Sequence, residues 1–291
     1  MKRYLVFLSV LLTLFSSVAV AITVFAHPAT ALAASNRPQE YLALGNSVAF
    51  GFNPDPSLAS NANNFIGYPT PVAAALKESL TNPSCPGETS SHFISLAGTD
   101  LNCGAYRLNF PLHVAYSTSQ LEYADGFLQS HPKTLVVSID IGANDLFVLE
   151  IGCGGAVTLP EIQCILSGLP AMLATLSANL DTIYGHIRIM DGYNHKLVAL
   201  TYYSLNYSDP IGTNVIKQVN QVVADRTLAW GGIVASGFDA FAAASTAFGG
   251  DTCAAGLRIV VVASPLTCDI HPSPAGRDLL AQAIVNALRT D

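Results

Sequence analysis

Apolar runs of strand length alternate along this chain with amphipathic stretches of helical period. Glu40–Leu44 is short and apolar, and Gly45 ends it. Thr134–Ile141 (TLVVSIDI) is rich in β-branched residues and apolar on both faces, the pattern of a central parallel strand. Phe93–Leu96, Lys196–Tyr203 and the weaker Ile233–Ala235 read as further strands. Helical stretches fill the intervals: Pro71–Leu80, Ser117–Gln129, Leu169–Ile189, Asn214–Ala229 and Pro274–Leu288. In the second of these, Ser117 or Thr118 caps the start, and Leu121, Ala124 and Leu128 share one face. In the last, Leu279, Leu280, Ile284 and Leu288 face inward. Ala235–Gly250, biased towards Ala, Gly and Ser, reads as a loop-rich insertion. Strands alternating with helices predict a three-layer α/β/α domain around a mostly parallel central sheet. In such sheets functional groups collect beyond the carboxyl ends of the strands, where Ser47 and Asn144 both fall.

The amino terminus changes the picture. Lys2 and Arg3 precede an uncharged apolar run from Tyr4 to Ala26, and Ala31-Leu32-Ala33 supplies small residues for cleavage. Residues 1–33 therefore read as a signal peptide, and residues 34–291 as one exported domain without an internal repeat or linker. The run is long enough to span a bilayer, so an uncleaved signal anchor is the competing reading. No second unbroken apolar stretch of that length is apparent, and no stable membrane insertion is expected after cleavage. The net charge is −7 with 11% charged residues, and the leader removes two cations. An acidic chain argues against nucleic acid and against charge-driven binding to anionic membranes.

All six cysteines lie beyond the leader, and an even count in an exported chain points to disulfides. Near-neighbour pairs are expected: Cys85–Cys103, Cys153–Cys164 and Cys253–Cys268. Each would close a short loop, stabilising by about 3 kcal/mol in the chain-entropy account. Cys-x-x-Cys and His-x-x-x-His spacings do not occur, so no metal is expected.

Four fragments carry candidate chemistry: Gly45-Asn46-Ser47-Val48-Ala49-Phe50-Gly51, Cys85-Pro86-Gly87-Glu88-Thr89, Gly142-Ala143-Asn144-Asp145 and Asp269-Ile270-His271-Pro272. Ser47 needs a general base to become a nucleophile, and Gly45 and Gly51 permit a tight turn around it. A plain β–α turn with Ser47 as helix cap is the alternative. His271 is the best-placed base, held in a segment stiffened by Pro272 and Pro274. The other histidines lack flanking chemistry and read as spectators. Asp269 could hold the imidazole tautomer, or could be a turn residue. The backbone N–H groups of Ser47 and Gly87 and the Asn144 amide could stabilise an oxyanion, although Asn144 could equally hold its own loop. Val48, Phe50 and Phe52 suit either an acyl chain or the core.

Together the fragments resemble the SGNH, or GDSL-type, hydrolases. The resemblance spans the whole mature chain and is strongest to the secreted six-cysteine bacterial branch, through YLALGNSVAFG, CPGETS, LHVAYSTSQLEYADGFLQSHP, SIDIGANDL and CDIHPSPAG. It implies a flavodoxin-like fold and cofactor-free ester hydrolysis through an acyl-enzyme. Ser47 resembles the nucleophile, His271 the base, and Gly87 and Asn144 the oxyanion donors. The implied protein is a secreted monomeric esterase or lipase acting on a small-molecule or lipid ester. A polysaccharide O-acetyl esterase, a phospholipase and a catalytically silent binding module are the alternatives. Two departures stand out. Asn46 occupies the position of the usual Asp, and Asp269 lies two residues before His271 rather than three. Cys268 takes that third position, so its carbonyl could orient the imidazole instead.

Overall fold

Alternation along each strand sends its side chains into two separate cores, which define the layers. The computed structural model describes residues 39–290, so the expected signal peptide over residues 1–33 lies outside the described residues. The elements run β1 (Glu40–Gly45), α1 (Ser47–Phe50), α2 (Pro69–Leu76), β2 (Ser79–Thr81), α3 (Ser90–Ile94), α4 (Cys103–Asn109), α5 (Gln120–Ser130) and β3 (Thr134–Asp140). They continue α6 (Ala143–Gly152), α7 (Leu159–Gly185), β4 (Lys196–Leu200), α8 (Pro210–Ala229), β5 (Ile233–Ala235), α9 (Gly237–Ser245), β6 (Arg258–Ala263), β7 (Leu266–Pro272) and α10 (Pro274–Thr290).

The central sheet has the order β2-β1-β3-β4-β5, with every neighbouring pair parallel. Leu42, Leu44, Val137, Ile139, Leu197 and Ala199 face one core, closed by α5, α7 and α8. Tyr41, Ala43, Val136, Val198 and Leu200 face the other, closed by α2, α9 and α10. A parallel sheet covered on both faces is the three-layer arrangement expected from the sequence.

Several elements differ from the sequence reading. Phe93 belongs to helix α3, not a strand, and is fully buried in the first core. The real edge strand is β2, whose three residues follow the end of α2 at Leu76, where Lys77 turns left-handed (φ 61°). Ala235–Gly250 contains α9 rather than a loop, started by the Ser236 hydroxyl accepting from the Asp239 N–H. Helix α7 begins ten residues earlier than expected, at a capping box of Thr158 and Glu161. The helical stretch Leu159–Met190 that begins with α7 is long and apolar enough by composition to cross a membrane, and Leu169, Leu176, Leu180 and Ile183 of α7 pack one of its faces into the first core. The antiparallel hairpin of β6 and β7 was not anticipated, and it carries Asp269 and His271.

At the sheet edge Glu78 has a buried Oε2 without a hydrogen-bond partner among the described residues, and burial pushes its carboxyl from 4.5 up to about 7. A raised carboxyl favours the folded, protonated form. Its stabilising contribution is full below the unfolded value and is lost as pH rises through the folded one. Glu78→Gln stays neutral. It is expected to melt above the wild type at about pH 8 and level with it at about pH 4, measured by thermal unfolding.

Candidate active site

The chain leaves β1 through a turn that aims Ser47 upwards. Gly45 has φ 139° and lies opposite Asp140 of β3, where an added Cβ would meet the Asp140 carboxylate at 2.1 Å. Asn46 then caps α1, its Oδ1 accepting the Val48 N–H at 3.0 Å, and its Nδ2 donates to the Tyr202 hydroxyl at 2.7 Å. The amide at position 46 therefore still anchors the turn. Ser47 is the first residue of α1, so it combines the expected turn with a helix start.

The hairpin brings the other half. His271 Nε2 lies 2.8 Å from Ser47 Oγ, across 224 positions of sequence. Its Nδ1 lies 2.5 Å from Asp269 Oδ1, which also accepts the His271 backbone N–H at 2.9 Å. The shorter Asp-x-His spacing thus still delivers a carboxylate to the ring, because β7 is extended and places residues two apart on one face. Burial alone would raise the Asp269 carboxyl. Hydrogen bonds from His271, with the His271 and Arg258 charges, outweigh it and hold Asp269 below the usual carboxylate range. Tyr203 secures the strand by donating to the Ile270 carbonyl at 2.7 Å, and Phe52 packs against the His271 ring with centroids 4.9 Å apart. The Cys253–Cys268 disulfide ties β7 to the segment before β6.

Ser47, Asn144 and His271 line one cavity of about 370 Å³. Its walls are mainly aliphatic, with Val48, Leu146, Ile165, Leu166, Val215 and Ile216 supplied by α1, α6, α7 and α8. Val48 thus faces the cavity, as an acyl-chain role requires. Phe50 does not: it is fully buried against Phe65, Tyr106 and His113. Gly87 is not among the lining residues. It sits in the adjoining turn at φ 83°, where a Cβ would meet the Asn102 backbone nitrogen at 2.7 Å. That turn is anchored to the turn that carries Ser47, since the Cys85 N–H donates to the Gly45 carbonyl at 3.1 Å. Asn144 Nδ2 donates to the Glu88 carbonyl at 2.8 Å, leaving its second N–H for a ligand.

Gln120 and Glu88 join these pieces, and the sequence reading missed the first. Gln120 accepts the Gly45 N–H at 2.6 Å and donates to both the Gly45 carbonyl and Glu88 Oε2 at 3.0 Å. Glu88 also binds His92 Nδ1 at 2.5 Å. His92 is therefore half of a buried pair. Burial pushes the Glu88 carboxyl up, while the bond to Glu88 pushes the His92 imidazole up. A glutamine at the start of a helix, next to the core-facing Leu121, was the available signal. The Cys85–Cys103 and Cys153–Cys164 disulfides are also formed. Among the described residues, the one cluster with metal-ligand atoms is Cys85, Glu88 and Cys103, and its sulfurs are spent in a disulfide.

No protein-family model matches the chain, and no curated protein matches it. Solved structures do. An extracellular lipase from Streptomyces rimosus superimposes with a TM-score of 0.59 at 18% identity, covering 86% of this chain and 99% of the lipase. A phospholipase A1 from Streptomyces albidoflavus gives 0.54 at 19% identity, covering 86% and 99%. A variant of an acetyl-xylooligosaccharide esterase from a Geobacillus gives 0.50 at 16% identity, covering 87% and 94%. The fold is thus the one that the SGNH resemblance implies.

Proposed function

We propose that this protein is a serine carboxylic-ester hydrolase of the SGNH type, and that its substrates carry an aliphatic acyl chain. The observation that carries the reading is the Ser47–His271–Asp269 array, with Ser47 Oγ 2.8 Å from His271 Nε2 at the wall of an apolar cavity. His271 takes the Ser47 proton as Ser47 attacks the ester carbonyl, and Asp269 holds the tautomer that allows it. The oxyanion is met by the Ser47 N–H and the free N–H of Asn144, with the Gly87 N–H in the adjoining turn as a third donor. His271 then protonates the departing alkoxide, and later activates the water that releases the acyl group. The chemistry needs no cofactor. The fold neighbours include a lipase, a phospholipase and an esterase of acetylated sugar oligomers, so the fold alone does not select among these.

The aliphatic part of the cavity wall supports the longer acyl chain. An acetyl group would leave most of its aliphatic wall unfilled, whereas each buried methylene contributes about 0.8 kcal/mol, or roughly fourfold in kcat/KM. On a p-nitrophenyl ester series, kcat/KM is expected to rise from acetate to a maximum at a medium-length chain. Acetylated xylo-oligosaccharides should be poor substrates. A maximum at acetate would reverse the substrate assignment in favour of the O-acetyl esterase. Failure of a fluorophosphonate to label Ser47 would leave a silent binding module.

A further inference from the structure

Strand β2 pairs with β1 only as far as Leu42, opposite Thr81. Gly45 lies beyond that point, so its N–H and C=O have no strand neighbour on that side, and buried backbone groups need partners. A side chain supplies them. Gln120 Oε1 accepts the Gly45 N–H at 2.6 Å, and Gln120 Nε2 donates to the Gly45 carbonyl at 3.0 Å. The second Nε2 hydrogen goes to Glu88 Oε2, also at 3.0 Å. Both donors of the amide and its acceptor are used, which fixes its orientation. Gln120 and Glu88 are fully buried. Glu88 Oε1 meets His92 Nδ1 at 2.5 Å, so Oε2 stays an acceptor whichever of these two groups holds the shared proton.

These bonds converge on the three groups assigned to the oxyanion. Gly45 leads through Asn46 into Ser47, so fixing both of its backbone groups sets where α1 begins. Glu88 directly follows Gly87, and its carbonyl accepts from Asn144 Nδ2 at 2.8 Å. One amide therefore links the segments that carry all three donors. Helix α5 does not need that amide for its own folding. The Ser119 hydroxyl caps it by accepting the Glu122 N–H, and Leu121 and Leu128 anchor it in the first core. An apolar residue would fill a fully buried position without the cost of burying an amide.

We propose that Gln120 is a positioning residue. Its amide holds the turn that carries Ser47 against the turn of Gly87 and Glu88, and so keeps the Ser47, Gly87 and Asn144 donors aimed at one oxyanion. This rests on the hydrolase reading above. Gln120 does not line the cavity, so its loss weakens binding of the transition state more than binding of the substrate.

Gln120→Met keeps the length of the side chain and removes all three bonds. The test compares it with the wild type and Ser47→Ala on one p-nitrophenyl ester, with rates expressed per folded molecule. Displaced oxyanion donors are expected to lower kcat by roughly 10- to 100-fold, with KM within about threefold. A kcat within twofold of the wild type, or a loss carried by KM or by the folded fraction alone, overturns the proposal. A second readout separates positioning from packing. Gln120 and Asn144 belong to one network through Glu88, so Gln120→Met combined with Asn144→Ala should lose less than the product of the two separate losses. Losses that multiply place Gln120 outside the oxyanion machinery and overturn the proposal. Should Gln120→Met fail to fold, Gln120→Glu keeps an acceptor for the Gly45 N–H and removes the Nε2 donors. It is then expected to lower kcat by about fivefold or more at constant KM, and an unchanged kcat overturns the proposal. A wild type no faster than Ser47→Ala ends the hydrolase reading and this one together. A working wild type matched by Gln120→Met ends this inference alone.

Discussion

Ser47→Ala is expected to lower ester turnover by about 10⁶-fold, the scale found when the serine of a comparable triad is removed. The fold should survive. The side chain of Ser47 bonds to His271, and α1 keeps its cap from Asn46 and its left-handed exit at Gly51. Unfolding temperature is therefore expected to change little while turnover disappears. Covalent labelling by a fluorophosphonate should be lost in the same variant. Substantial remaining turnover would refute Ser47 as the nucleophile.

Asp269→Asn addresses the other end of the array. Its side chain, not the Cys268 carbonyl, stands 2.5 Å from His271 Nδ1. An amide there can present its N–H₂ to the ring and favour the wrong tautomer, which lowers kcat by up to about 10⁴-fold. A loss below about tenfold in kcat would mean that another acceptor orients the imidazole in the working enzyme. The carboxyl also has a pH signature. His271 and Arg258 hold it below its ordinary value, so its ionised form stabilises the native state above that value. The contribution is lost as pH falls through the lower, folded value. The wild-type unfolding temperature should therefore decline in acid more steeply than that of Asp269→Asn.

Much of this candidate site is legible in the sequence. Gly45 and Gly51 bracket Ser47 because the turn needs their freedom, and the late Asp269/His271 pair stood out against proline-stiffened flanks. Near-neighbour cysteine pairing agrees with the three bridges, each closing between 11 and 18 positions. The hairpin that presents His271 was harder to see. Val260, Val261, Val262 and Leu266 are exposed, so the ribbon lacks the polar outer face that usually marks a strand pair. Strand β2 is only three residues long, too short to show a period. Helix α9 was hidden by composition, although Ser236 and Asp239 formed a readable helix start.

Asp140 shows where sequence reading ends. In TLVVSIDI it is one polar letter at the end of an apolar run, indistinguishable from a residue reaching solvent. Pairing of β3 with β1 buries it beneath the turn that carries Ser47. Gln120 likewise acquires its role from the two loops it happens to join.

Sequence by itself determined the local conformations and the reactive groups, because turn, cap and strand preferences act over a few neighbouring residues. Tertiary structure alone decided which groups meet. The distance from Ser47 to His271, the aliphatic cavity between α6, α7 and α8, and the carboxylate beneath the turn all join segments remote in sequence. Those contacts arise from packing helices onto a twisted sheet, and no local preference encodes them.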